Sequence, residues 1–182
     1  MTYSEIAKKL RLPLGFLFGI AYLIWAQPTM LTLAVGGAIA FAGVLVRAWA
    51  SGHISKNRRL AVTGPYAHTR NPLYFGSFLI GAGFAVAAHW GLLLVVIAFW
   101  ALVYAPTMER ERLNIRERFP DAYDRYSANV PAFVPRMTPW RDDDPDAGGF
   151  DPALYMKHGE WKAGITYLLV MAWLAFRVKR GL

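Results

Sequence analysis

Side chains able to do chemistry gather in the stretch Gly64 to Gly76, GPYAHTRNPLYFG. Gly64-Pro65 makes a turn. Pro72 disfavours the helical region for Asn71, so a helix is expected to start at about Pro72 or Leu73. Arg70 and Asn71 then sit at a helix amino terminus. Asn is a favoured cap there, and the free backbone N–H groups prefer anionic ligand groups. Tyr74 falls just inside the helix, where its ring can stack and its hydroxyl can reach polar atoms; Tyr66 and His68 are close by. Taken alone, the stretch also fits an ordinary membrane-entry turn with belt aromatics.

Two other positions carry charge where charge has consequences. Thr107 to Phe119, TMERERLNIRERF, reads as a strongly charged helix with a modest apolar stripe from Leu113, Ile115 and Phe119. Its Glu111 is either a surface charge paired with Arg112, Arg116 or another neighbour, or a ligand for a cationic group. Arg47 lies well inside an apolar run. It either snorkels to the interface or is a cation held for a lipid headgroup or substrate carboxylate. The run Asp142-Asp143-Asp144 reads as an exposed loop, and no metal site is expected, because hard-ion cages need spaced ligands and a turn glycine. With no cysteine, the chain has no disulfide, thiolate catalysis or cysteine-ligated metal.

The elements that must position these residues follow from hydropathy. Charge is concentrated in a few blocks separated by long apolar stretches, unlike the charge-laced helices of a soluble fold. Apolar runs at about 13–26, 30–50, 73–88, 91–106 and 161–177 predict an all-α integral membrane bundle of about five transmembrane helices. The segment 107–160 is expected to form a cytoplasmic charged helix followed by an irregular loop, and residues 1–182 a single domain. The turns at Gln27–Thr29 and His89–Trp90 contain no Lys or Arg, whereas Ser51–Arg70 contains Lys56, Arg58, Arg59 and Arg70 and no acid. The positive-inside rule therefore puts the amino terminus, 51–70 and the region after Pro106 in the cytoplasm. The net charge of +8 is assigned to this bias rather than to nucleic acid. A last helix that crosses carries Arg177, Lys179 and Arg180 outside, against the rule; a surface-lying last helix is the alternative.

The order of the pieces adds a resemblance. GHISKNRRLAVTGPYAHTRNPLYFGS, a hairpin, then ERLNIRERFPDAYDRYSANVPAFVP is similar to the membrane methyltransferases of the isoprenylcysteine carboxyl methyltransferase and phospholipid N-methyltransferase type. Arg70, Pro72, Tyr74 and Gly76 match the family's R-H-P-x-Y-x-G entry. Phe119, Tyr123, Tyr126, Pro131 and Pro135 match its trailing motif. Asn71 stands where the family commonly has His. Of the family's Glu-Glu pair, Glu111 keeps the first place and Arg112 occupies the second, with Glu109 two residues earlier.

The resemblance implies S-adenosylmethionine as methyl donor, a lipid or other hydrophobic acceptor, and a site facing the cytoplasm, in a bacterial cytoplasmic membrane. It implies a cofactor site made of His68, Arg70, Asn71, Pro72, Tyr74, Glu111 and Tyr126, with Arg47 toward the substrate. Arg70 and the N–H groups near Asn71 suit the cofactor's carboxylate, and Glu111 its ammonium. No strand with a glycine-rich turn is present to hold a nucleotide in the soluble manner. A carboxylate or thiolate acceptor would need no general base, whereas an ammonium must first lose a proton. Two other readings stand beside this one: a membrane reductase using a nicotinamide phosphate cofactor, and a non-catalytic membrane module with a decayed site.

Overall fold

Small residues recur along the second apolar run at Gly36, Ala40 and Gly43, and along the third at Gly76, Gly83 and Ala87. Spacings of three, four and seven residues put each set on one helix face, where backbones can approach closely. In the computed structural model, which describes residues 3–54, 59–141 and 148–181 (3–12 by backbone alone), the two faces meet. Helices α1 (Tyr3–Trp25), α2 (Met30–Ser51) and α3 (Pro72–Ala88) are followed by α4 (Leu92–Phe99). α2 and α3 run antiparallel with their backbones in contact. A Cβ added to Gly36 would stand 2.4 Å from the Gly83 carbonyl oxygen, and one added to Gly83 only 2.3 Å from the Ala40 nitrogen.

Between α1 and α2 the turn is closed by Thr29, whose hydroxyl accepts the Thr32 N–H while the Thr32 hydroxyl accepts the Thr29 N–H. α4 continues through a π turn at Trp100–Tyr104 into α5 (Ala105–Arg118), making one 27-residue rod from Leu92. Pro106 brings no N–H to the preceding turn, and the helix widens just before it. Two further helices, α6 (Pro120–Asn129) and α7 (Pro152–His158), lie in the stretch expected to be irregular. Each begins with Pro at its first position, where the missing N–H costs nothing. No strand occurs among the described residues.

The last helix, α8 (Trp161–Arg180), lies along α2 rather than apart from it. Its amino end meets Arg47 through Glu160, its middle reaches Gly37 through the Tyr167 hydroxyl, and its carboxyl end meets α1. There the Arg177 guanidinium donates to the Leu23 and Ile24 carbonyls, which the end of α1 leaves without helical partners. Three rods, Met30–Ser51, Leu92–Arg118 and Trp161–Arg180, are long and apolar enough to cross a membrane, and Pro13–Trp25 and Pro72–Ala88 are shorter apolar helices. Large apolar side chains point outward along these helices, among them Phe16, Leu31, Leu94 and Leu168. Such a surface matches lipid, and the chain is an integral membrane bundle. Of the sequence-level charges, Lys56, Arg58 and Asp142-Asp143-Asp144 lie outside the described residues.

Candidate functional site

Ala67 to Asn71 joins a short 3-10 turn (Gly64–Ala67) to α3, and its backbone is satisfied from outside. The segment Pro131–Trp140 straps across it. Arg70 N–H donates to Pro131 O (2.9 Å), Arg136 N–H to His68 O (2.9 Å) and Trp140 N–H to Ala67 O (2.9 Å). The buried Thr69 hydroxyl donates to Phe133 O (2.9 Å). Phe133 itself packs among Phe75, Phe78 and Trp100, the last at 4.2 Å between ring centroids. The strap therefore fixes the entry of α3 by hydrogen bonds on one side and an aromatic anchor on the other.

α6 closes the arrangement from a second direction. Tyr123 and Tyr126, three apart on one helix face, are buried with Val62 and Val130. The Tyr126 hydroxyl donates to the Tyr66 carbonyl at 2.7 Å, tying α6 to the 3-10 turn. Gly64 adopts φ +57°, a conformation Gly takes without strain, and a Cβ there would also strike the His53 ring.

Between these pieces lies a cavity of about 320 Å³, walled by Tyr66, Arg70 and Asn71 at the entry of α3, Glu111, Arg112 and Ile115 of α5, and Tyr123 and Tyr126 of α6. Arg70 Nη1 donates to the Tyr123 hydroxyl (3.2 Å), and its guanidinium stands 5.9 Å from that ring's centroid. Its Nε is buried without a hydrogen-bond partner among the described residues. Glu111 is exposed on α5. Arg112 pairs with Glu109 and Arg116 with Asp124, and Glu111 makes no ion pair among the described residues. Burial pushes the Tyr66 phenol well above its usual range; the charges of Glu111 and Glu160 add to the rise and Arg47 opposes it. Burial raises Tyr126 likewise. Both phenols stay protonated near neutrality.

The cavity thus brings together Arg70, Asn71, Glu111 and Tyr126 of the residues singled out from sequence. His68, Pro72, Tyr74 and Arg47 do not line it. The His68 ring shares a hydrogen bond with Arg136 O (2.8 Å) and faces Trp49. Pro72 is buried as the first residue of α3, and Tyr74 packs edge-on to Tyr104 at 5.8 Å. Asn71 occupies the cap position but makes no capping bond; its amide donates to Ala132 O (2.8 Å) instead. The strap has taken the side chain that the helix would otherwise use.

Arg47 is held inside the bundle rather than snorkelling. Its Nε and Nη2 donate to the two Glu160 oxygens at 2.9 and 2.7 Å, and Nη1 donates to the Ser77 hydroxyl and Leu73 O. Sequence reasoning passed over Glu160, although it is the acidic residue immediately before the last apolar run, and left Tyr66 and Tyr123 out of the cofactor site. The i, i+3 spacing of Tyr123 and Tyr126 was a usable signal for Tyr123.

The cavity offers a cationic and hydrogen-bonding corner, one carboxylate and aromatic walls, a set suited to a zwitterionic head on a flat ring system. The family model for phospholipid methyltransferases matches residues 31–122, from the start of α2 to the start of α6. Cobalt-zinc-cadmium resistance protein CzcN of Cupriavidus metallidurans is 32% identical over 124 residues, 65% of this chain and 55% of the relative. Nickel-cobalt-cadmium resistance protein NccN of Alcaligenes xylosoxydans xylosoxydans is 29% identical over 163 residues, 85% of this chain and 73% of the relative. Protein-S-isoprenylcysteine O-methyltransferase of Schizosaccharomyces pombe is 22% identical over 141 residues, 74% of this chain and 59% of the relative. No solved structure gives a significant match. The matched half of the chain carries Tyr66, Arg70, Asn71 and Glu111 of the cavity, and by that match the protein belongs to the phospholipid methyltransferase family.

Proposed function

We propose that the protein transfers a methyl group from S-adenosylmethionine to a lipid or other hydrophobic acceptor, at the cytoplasmic face of a bacterial membrane. The observation that carries this reading is the convergence of Arg70 and Glu111, separated by a complete helical hairpin, on one cavity. Family membership supports the reaction class.

The residues present fit such a donor. The buried Arg70 Nε, without a partner among the described residues, suits a carboxylate, helped by the positive end of α3. Glu111, without an ion pair among the described residues, suits an ammonium. Tyr123 and Tyr126 give flat apolar faces against which an adenine can lie. S-adenosylmethionine supplies a methyl group on a sulfonium, already a good leaving group. The protein's task is then to bind, orient and exclude water. Asn71, with its amide tied to Ala132 O, keeps the cavity wall at the start of α3 in place. Tyr66 and Tyr126, held protonated, do not act as bases, and the Tyr126 hydroxyl is used to hold the Tyr66 carbonyl. The cytoplasmic assignment is supported by the arginines at the cavity end of the bundle, Arg59, Arg70, Arg112 and Arg118.

Titration of the detergent-purified protein with S-adenosylhomocysteine tests the reading. Saturable binding that Arg70→Ala weakens is the expected result. Binding of a reduced nicotinamide phosphate cofactor in its place would move the protein to a reductase chemistry.

A further inference from the structure

Four buried side-chain polar atoms among the described residues have no hydrogen-bond partner: Tyr66 OH, Arg70 Nε, Trp100 Nε1 and Arg177 Nε. Tyr66 and Arg70 both line the one cavity described above. A buried donor left unpaired costs stability, so two such residues at one cavity mark a place where a ligand's acceptor atoms are expected. The Tyr66 hydroxyl is fixed rather than free to wander. Its residue is only 6% exposed, its carbonyl is held by the Tyr126 hydroxyl, and its turn is set by Gly64 in the left-handed region.

We infer that Tyr66 is a further donor-binding residue, whose hydroxyl donates a hydrogen bond to the carboxylate of the methyl donor's amino-acid moiety, alongside Arg70. The inference rests on the proposed methyl-donor reading. The carboxylate is singled out over the nucleoside for two reasons. Glu111, the proposed partner of the ammonium, lines the same cavity as Tyr66 and Arg70, and in an amino-acid head ammonium and carboxylate share one carbon. A phenol kept protonated offers its proton to that carboxylate, and screening from bulk solvent strengthens the bond.

The test uses Tyr66→Phe in the detergent-purified 182-residue chain, with two probes, S-adenosylhomocysteine and 5′-methylthioadenosine, which lacks the amino-acid head. S-adenosylhomocysteine is expected to bind the variant roughly tenfold or more weakly than the wild type, by the loss of one charge-assisted hydrogen bond. Methylthioadenosine should bind both proteins equally. Without ligand, the variant should melt at the same temperature as the wild type or higher, because it discards a buried hydroxyl that had no partner. A merely structural tyrosine would instead lower that melting temperature, and this outcome overturns the inference. Equal weakening of both probes, or unchanged binding of both, overturns it as well. Failure of the wild type to bind S-adenosylhomocysteine at all is a separate result, and it removes the proposed function itself.

Discussion

Arg47 and Arg70 stand near the same end of the bundle, one inside α2 and one just ahead of α3, yet their surroundings differ in kind. Arg47 has a carboxylate on two of its nitrogens and a hydroxyl and a carbonyl on the third. Among the described residues Arg70 has one phenol on Nη1, a buried Nε with no partner, and a cavity beside it. A guanidinium whose donors are satisfied within the fold is part of the fold. One that keeps a buried donor unsatisfied next to open space fits the ligand site proposed for it. Residue type and membrane depth alone do not separate the two cases; the partner list does.

The widest consequence of the Arg47–Glu160 pair is topological. It fixes the start of α8 at the cavity end, so the helix must carry Lys179 to the opposite end. Cysteines introduced as Ser127→Cys and Lys179→Cys should label from opposite sides of the membrane in intact cells, Ser127→Cys from the cytoplasm. Labelling of both from one side would mean that α8 does not cross.

Next in size is the pair itself. Glu160→Ala leaves a mostly buried guanidinium without its carboxylate and should cost about 3–5 kcal/mol. Thermal unfolding in detergent would read this as a clear loss, and Arg47→Met combined with Glu160→Leu should recover most of it. If Glu160→Ala is as stable as the wild type, Arg47 is not locked, and a substrate role for it regains its force.

Arg70→Ala should do the reverse, leaving the melting temperature nearly unchanged while weakening S-adenosylhomocysteine by roughly 1.5–3 kcal/mol. Loss of stability without loss of affinity would make the two arginines equivalent. The finest test concerns the carboxylates. Glu111→Gln should weaken binding, and Glu109→Gln should do less, because Glu109 is already bound to Arg112. A double variant of Glu111→Gln with Arg70→Ala should show non-additive losses if both grip one ligand. The opposite ranking of the two glutamates would put the ammonium partner two residues earlier on α5 than where we place it.

Much of this frame was readable in the residues. Apolar runs and the uneven distribution of Lys and Arg carry the helices and their hairpins, because a bilayer tolerates little else. Pro72 marks the start of α3 for a reason of backbone sterics alone. What escaped the sequence were interactions between distant segments. Asn71 has every local property of a cap, yet Ala132, far along the chain, supplies a better acceptor for its amide. The helices α6 and α7 are short, ten and seven residues, without the long apolar periodicity that reveals a membrane span. Glu160 has meaning only once α8 lies beside α2. Tyr66 has meaning only when its hydroxyl is found without a partner among the described residues.

The small-residue seam between α2 and α3 also decides how a greasy molecule could travel. At Gly36, Gly43 and Gly83 the space between the two helices would not admit even one added methyl group. An acyl or prenyl chain, several ångströms wide, cannot slip through that wall without parting two backbones. The seam is a closed partition on one flank of the bundle. A hydrophobic acceptor drawn from the bilayer must come round another flank, where contacts are made by flexible side chains such as Phe18 against Phe99 rather than by backbone. The seam therefore does more than hold two helices together: it would give the approach to the proposed site a direction.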